Sequence, residues 1–337
     1  MSRSARNTDT LLPRANPVDT SAEDAPVRTG WAVGLSVAAG VALALLWSYE
    51  FVDSVIGDNV ANTLLGHDAK ETAIAGTAAG LLFAFVSGFA GTFTACNIAM
   101  AAAVGPMSQA GAARRVSPAD ARPLSQAGAG HGVGLGRAGS LLRPVGWLTL
   151  GMVAVSATYG FIGVLLGERL PQLSDQMVGG VPVRLIQSSV VFGGIGLALI
   201  AMGLAALKVL PDPFAHRPTA RVVTLGALVG GFLIGRPYPL FNKLFHWAVD
   251  TQNPFYGALA FVLQSLGNIA LVSVVFALLI AATRGRFLRW LSASPRRTSL
   301  ITGVLLIALG VFTVVYWDLR VPAMFGIGWF PMLPYNS

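Results

Sequence analysis

Long apolar segments constrain the fold of this chain more than any other feature. Seven of them reach or approach the 20 or so residues that a helix needs to cross a bilayer. Only 11% of the residues are charged, against roughly 25% in soluble domains, and the mean hydropathy is +0.65. Because the segments lack the alternation of barrel strands, they favour helices. The sequence therefore predicts an all-α integral membrane protein with about seven transmembrane helices, at residues 31–52, 72–95, 144–166, 185–210, 222–244, 255–283 and 300–317.

The distribution of Lys and Arg predicts the orientation. With the N-terminus in the cytoplasm, 17 of the 23 basic residues fall on the inner side and four on the outer side, Arg320 among them. This bias is typical of a plasma or inner membrane protein, and it leaves the C-terminus outside. The net charge of +8 is thus explained by topology and by contact with lipid, and no nucleic-acid partner is expected.

Composition divides the chain into a membrane domain and polar segments. The loop at residues 108–142 is basic and glycine-rich, and its GxGxxG match follows no strand, so no dinucleotide or other cofactor is expected. The predicted organisation is a disordered cytoplasmic tail, a membrane anchor helix, a six-helix domain and an aromatic tail at the outer face. These cover residues 1–29, 30–53, 72–318 and 319–337.

Arg236 lies within the fifth apolar segment, beside Pro237, Tyr238 and Pro239. Its charge is permanent and costly in hydrocarbon, and two prolines within three residues break a helix. Such a break at membrane depth must face protein or water. These four residues are therefore predicted to lie at a functional centre. Arg236 either binds carbonyl groups of the broken helix or contacts an anionic substrate.

Residues 88–97 in the second segment share a pattern with residues 231–239 in the fifth. Each contains Gly-Phe, a further glycine, and then polar or helix-breaking residues. The predicted orientation runs the two segments in opposite directions, and two more segments follow each. This arrangement predicts a 3+3 inverted repeat with one extra N-terminal helix, a plan found in transporters.

Amide side chains in the apolar segments are candidates for a substrate pathway. Asn97 lies in the second segment, and Gln264 and Asn268 share a helix face at i, i+4 in the sixth. They either bond across helices or line a polar path. Few acidic residues occur in the segments, which argues against a carboxylate-driven pump.

The run Gly-Thr-Phe-Thr-Ala-Cys-Asn-Ile around Cys96 resembles the first core helix of the CcdA/DsbD-type cytochrome c biogenesis family, in the LysE-like superfamily. The resemblance covers roughly residues 72–316 in architecture and spacing. It implies thiol-disulfide electron transfer with a thioredoxin-like partner, in which Cys96 is the reactive thiol. The chain departs from the family pattern because Ala95 replaces a proline and Arg236 stands where the second cysteine is expected.

A dithiol relay needs two thiols, and this chain contains one. Cys96 is an inert buried residue, a mixed-disulfide donor to a partner, or, with Met100 four residues later, a soft ligand for Cu(I). Two functions remain open. One is a thiol-redox membrane protein that works with a partner, and the other is a transporter of a small anion or soft metal ion.

Overall fold

A computed structural model describes residues 29–48, 50–91, 135–174, 176–235, 238–283, 286 and 294–333. Apart from one small hairpin, the regular structure of these residues is helical, which confirms the all-α prediction. In the hairpin, β1 (Met177–Val178) pairs with antiparallel β2 (Val181–Pro182). The main helices are α1 (Thr29–Leu46), α2 (Asp58–Leu65), α3 (Gly76–Ala90), α4 (Leu135–Leu166), α5 (Val183–Ala206), α6 (Pro218–Gly231), α7 (Pro239–Asp250), α8 (Pro254–Ala282) and α9 (Pro295–Val314).

Four helices in the described part are long and apolar enough to cross a membrane, and a bent pair gives a fifth. The four are Val145–Arg169, Val183–Ala206, Pro254–Leu271 and Arg296–Met324. The chain is thus a helical membrane protein. Helix α3 is apolar but has only 15 residues, and α6 and α7 have 14 and 12.

The first apolar helix ends earlier than the predicted anchor. Helix α1 stops at Leu46, and a π-helical stretch from Glu50 to Gly57 leads into α2, at an angle of 72° to α1. Polar residues such as Ser48 and Glu50 begin here, and Phe51 and Leu64 of the second helix stay exposed. The segment from Glu50 to Leu65 is therefore amphipathic, and it forms the second half of the bent pair.

The predicted break in the fifth segment is confirmed. Helix α6 ends at Gly231, a turn covers residues 232–235, and α7 begins with Pro239 as its first residue. Proline fits the first helical position because its missing N–H has no partner there. One predicted span is therefore two short helices.

The helices pack around two apolar cores. The first lies among α3, α4, α7 and α8 and contains the fully buried rings of Phe241, Phe245 and Phe261. The second lies among α1, α5, α6 and α9 around Phe192 and Phe312. Extensive contacts join α5 to α9, α4 to α6, α3 to α8, and α4 to α8, so α4 links the two cores.

The predicted aromatic tail begins as helix. After α9, a π-helical turn (Val315–Arg320) and α10 (Val321–Met324) continue the span. Arg320 is 1% exposed, and its Nη1 donates to the carbonyl oxygens of Ala44 at 2.9 Å and Trp47 at 2.7 Å. Carbonyl oxygens at the end of α1 therefore bind Arg320 inside the protein, and its place on the outer side of the membrane stays a prediction.

Candidate functional site

The break between α6 and α7 exposes a backbone carbonyl that two other helices satisfy. Ile234 O accepts a hydrogen bond from Gln187 Nε2 of α5 at 2.8 Å and a longer one from Tyr159 Oη of α4 at 3.4 Å. A carbonyl released from a helix in an apolar interior needs such partners. The side chains of α4 and α5 therefore converge on the turn at residues 232–235.

Aromatic packing holds Tyr159 in place. Its ring stacks on Phe245 of α7 with centroids 5.6 Å apart, and it meets Phe261 of α8 edge-on at the same distance. Both contacts lie in the range of favourable aromatic pairs. Rings of α7 and α8 thus hold the Tyr159 hydroxyl group at the break.

A second polar contact lies between α3 and α8. Gln264 is 3% exposed, and its Nε2 donates to Ser87 Oγ at 3.3 Å, while Ser87 Oγ donates to Ala84 O at 2.9 Å. The two helices meet closely because Gly88 contacts the backbone of Gln264. This predicted pathway residue is buried and bonded across helices.

Further buried polar groups lie on the same two helices, α4 and α8. Ser265 of α8 bonds to Ser156 of α4, and both are fully buried. Ser156 lies three residues before Tyr159, on neighbouring turns of α4. Asn268, the other predicted residue of α8, is 6% exposed. We call Ser87, Gln264, Ser265, Ser156, Tyr159 and Gln187 the polar line.

Two amide oxygens of the polar line have no hydrogen-bond partner among the described residues. They are Oε1 of Gln187 and Oε1 of Gln264. A buried acceptor without a donor costs about 1–3 kcal/mol, so most buried polar groups are paired. Each of these amide oxygens can therefore accept a hydrogen bond from a polar solute that reaches it.

The other side of the break is bound to the segment before α3. Tyr238 is 3% exposed, and its hydroxyl lies 3.3 Å from Asp58 Oδ1 of α2, which also pairs with Lys70. Pro239 begins α7. These two predicted site residues thus lie at the start of α7, and the Tyr238 hydroxyl binds this end of the break to α2.

Lys243 holds the loop between α2 and α3. Its ammonium group donates to the carbonyl oxygens of Ala69, Lys70 and Thr72 at 2.6–2.8 Å. In the same loop, the backbone N–H groups of Glu71 and Lys70 donate to Asp68 and hold the pKa of its carboxyl below the usual value. The stability that Asp68 adds to the folded state is present above its unfolded pKa. It is lost as the pH falls through the lowered pKa of the folded state.

Five predicted site residues lie outside the described residues: Cys96, Asn97, Met100, Arg236 and Pro237. Their roles in redox chemistry, metal binding and anion contact stay predictions. Gln187 and Tyr159 were not among the predicted site residues. Their sequence context could have indicated them, because an amide and a phenol within apolar helices need hydrogen-bond partners.

No protein-family model matches the chain, and comparisons with curated proteins and with solved structures give no match. The polar line and the helix break are therefore the features from which a function can be inferred.

Proposed function

We propose that this protein is a membrane transporter for a small anion, with its pathway along the polar line beside the helix break. The supporting observation is that Gln187 and Tyr159, from two other helices, converge on Ile234 O at the break. Non-helical backbone at membrane depth is tolerated where it faces protein or a water-filled path. Transporters use such broken helices to bind solutes near the middle of the bilayer.

The proposed anionic substrate follows from the charges in the segment. Arg236 is next to the described turn in sequence, and a guanidinium group matches the geometry of carboxylates and oxyanions. The amides of Gln187 and Gln264 are neutral and add no competing negative charge. A small oxyanion that carries a donor, such as hydrogen phosphate, can bind both kinds of group.

We also propose that the protein has seven spans and a cytoplasmic N-terminus, and that the six spans after α1 form a 3+3 inverted repeat. Matching glycine contacts support the repeat. A Cβ added to Gly88 of α3 would lie 2.7 Å from the carbonyl carbon of Gln264, and one added to Gly226 of α6 would lie 2.8 Å from that of Leu148. The α3–α8 crossing therefore has the same local geometry as the α6–α4 crossing.

A second pair of contacts has the same register. A Cβ on Gly267 of α8 would lie 2.9 Å from the nitrogen of Phe89, and one on Gly151 of α4 would lie 3.0 Å from that of Ala227. A shift of 138 residues relates α3 to α6, and a shift of 116 relates α4 to α8. Two independent glycines that repeat with the same shifts favour internal symmetry over coincidence.

This register differs from the one suggested by the sequence pattern. The pattern aligns Gly88 with Gly231, whereas the contacts pair Gly88 with Gly226. Counted on from Gly226, the sequence counterparts of Ile234 and Gly235 are Cys96 and Asn97. The two predicted site segments thus stay equivalent in the proposed repeat.

Counterflow in liposomes tests the transport proposal. Purified protein is reconstituted into liposomes loaded with unlabelled phosphate, sulfate or formate, and entry of the labelled anion is measured. We expect entry of phosphate well above the rate of protein-free liposomes, and slower entry of sulfate and formate, which carry no donor for the amide oxygens at neutral pH. Gln187→Leu and Gln264→Leu should each lower this rate about ten-fold, because each removes a hydrogen-bonding group worth roughly 1.4 kcal/mol.

Matched variants complete this test. Thr158→Val should stay within about two-fold of wild type, because its exposed hydroxyl bonds only within α4 to Ala154. Arg236→Leu should abolish counterflow, and Arg236→Lys should lose most of it where a bidentate contact is used. No counterflow of any of the three anions by folded wild-type protein would sink the proposal.

Electron transfer through Cys96 is the alternative proposal, and it depends on the resemblance. If the protein is a transporter without redox chemistry, Cys96→Ser should keep counterflow within about two-fold, and oxidation should trap no Cys96-dependent adduct with a thioredoxin-like protein. Non-reducing electrophoresis after oxidation measures the adduct. A Cys96-dependent adduct, with loss of function in Cys96→Ser, would support electron transfer instead.

A further inference from the structure

A carboxyl group lies at the interface between α5 and the continuation of α9. Asp318 is half-buried on the π-helical turn, and its Oδ2 is buried without a hydrogen-bond partner among the described residues. A Cβ added to Gly193 of α5 would lie 2.7 Å from Oδ2 and 3.0 Å from Oδ1. The carboxyl group therefore packs directly against α5, ten residues into that helix.

Few charges face this carboxyl group. The turn contacts α1, α5, α9 and α10, and α1 and α10 contain no titratable side chain. Helix α5 contributes Arg184, nine residues before Gly193 and so about 14 Å away along the axis. Helix α9 has Arg296 and Arg297 at its opposite end, and Arg320 on the turn itself binds α1.

These surroundings favour the protonated form of Asp318. An ionised carboxylate in an apolar interface needs donors or a counter-ion, and its neutral form does not. Proton uptake forms one O–H bond on the carboxylate, with the proton taken from water, and release returns it to water. No other bond changes, so the site can alternate between two states without a co-reactant.

Side-chain packing connects this carboxyl group to the helix break. The ring of Trp317, the preceding residue, lies 4.3 Å from the ring of Phe192, measured between centroids. Phe192 in turn contacts Phe232, and it packs against Gly235, where an added Cβ would lie 3.1 Å from its ring. Ser189 of α5 also donates to Trp317 O at 2.8 Å. These contacts form a continuous path from the turn to residues 232–235, along which a shift of the turn would act.

We infer that Asp318 is a proton-binding site whose occupancy changes the conformation of the helix break. In the transporter, this site couples solute movement to a proton gradient. The scarcity of acidic residues in the predicted segments argued against such coupling, but Asp318 directly follows the last of those segments. The coupling of transport rests on the proposed function, whereas proton binding and its effect on the break do not.

Infrared spectroscopy of the reconstituted protein tests proton binding. In a pH titration the wild type should show the carbonyl-stretch band of a protonated carboxylic acid, and the band should disappear as the pH is raised. Asp318→Asn should remove this band, and Asp250→Asn, a change at an exposed carboxyl at the end of α7, should keep it. A band that Asp318→Asn leaves unchanged, or no band in the wild type, would overturn the inference.

Hydrogen exchange tests the effect on the break without any substrate. At a pH where the infrared band is lost from the wild type, Asp318→Asn should change the exchange rate of amides 232–235 by about five-fold or more, a usual size for coupling between sites. Asp250→Asn should leave these rates at the wild-type value. Equal rates in Asp318→Asn and wild type would refute the link through Trp317 and Phe192.

A phosphate transport assay separates the two proposals. Asp318→Asn should keep phosphate counterflow but lose about five-fold or more of the uptake driven by a pH gradient. Gradient-driven uptake that persists in Asp318→Asn would exclude its role in coupling. Absence of counterflow from the wild type would count against phosphate transport and its coupling alone, since the infrared and exchange results are independent of it.

Discussion

Gly88→Ala and Gly226→Ala are each expected to destabilise the protein by about 3 kcal/mol or more, the upper range for overpacking. The added methyl group would overlap backbone of the facing helix, at Gln264 and Leu148 respectively. Backbone cannot move aside as a flexible side chain does, so the helix pair must separate. Thermal unfolding in detergent, followed by circular dichroism, measures the loss.

Gly194→Ala is the matched control because no heavy atom lies within 4 Å of its added Cβ. This change should leave the midpoint of thermal unfolding unchanged or raise it slightly, since alanine stabilises a helix relative to glycine by roughly 0.5–1 kcal/mol. The proposed repeat also requires similar losses at the two crossings. A stable Gly88→Ala protein would contradict the close helix contact, and strongly unequal losses would weigh against the repeat.

Arg320→Met is expected to lose about 3 kcal/mol of stability, because the buried carbonyl oxygen of Ala44 and the half-buried one of Trp47 lose a charged donor at roughly 1–3 kcal/mol each. Methionine keeps much of the apolar volume, so the change removes mainly the hydrogen bonds to Ala44 and Trp47 and the cation–π contact with Tyr316. Arg320→Lys should lose less, since an ammonium group still donates. Unfolding midpoints and hydrogen exchange at the end of α1 measure both effects.

Arg169→Met serves as the control for removing an arginine, because Arg169 lies exposed in a 3₁₀ turn after α4. The free energy of unfolding should change by no more than about 0.5 kcal/mol, as for most surface substitutions. If Arg320→Met unfolds at the same temperature as Arg169→Met, the arginine does not hold α1 to the rest of the bundle.

The helix break shows what could be predicted from sequence. Proline lacks a backbone N–H and restricts its own and the preceding residue, so Pro237 and Pro239 mark a break without any tertiary information. Long apolar segments likewise require helices in a membrane, because the backbone must satisfy its own polar groups. Gln264 and Asn268 were also predictable as buried polar residues, since they share one face of an apolar helix.

Partners at longer range depend on the tertiary structure. Arg320 and Ala44 are far apart in the chain, so the sequence does not show that this arginine is buried against α1. The same holds for Gln187, whose carbonyl partner at Ile234 belongs to another helix. A motif of small residues shows that two helices can pack closely, but it does not show which residues meet. The pairing of Gly88 with Gln264 is seen only in the backbone contact between α3 and α8.

The sequence by itself determined the helical class, the membrane environment and the position of the break between α6 and α7. These follow from backbone chemistry and from residues close together in the chain. The tertiary structure decided that Arg320 binds α1, that Gln187 and Tyr159 meet at the break, and that Asp318 packs against Gly193. Those partners depend on which helices become neighbours, and long-range packing free energy sets that choice rather than local propensity.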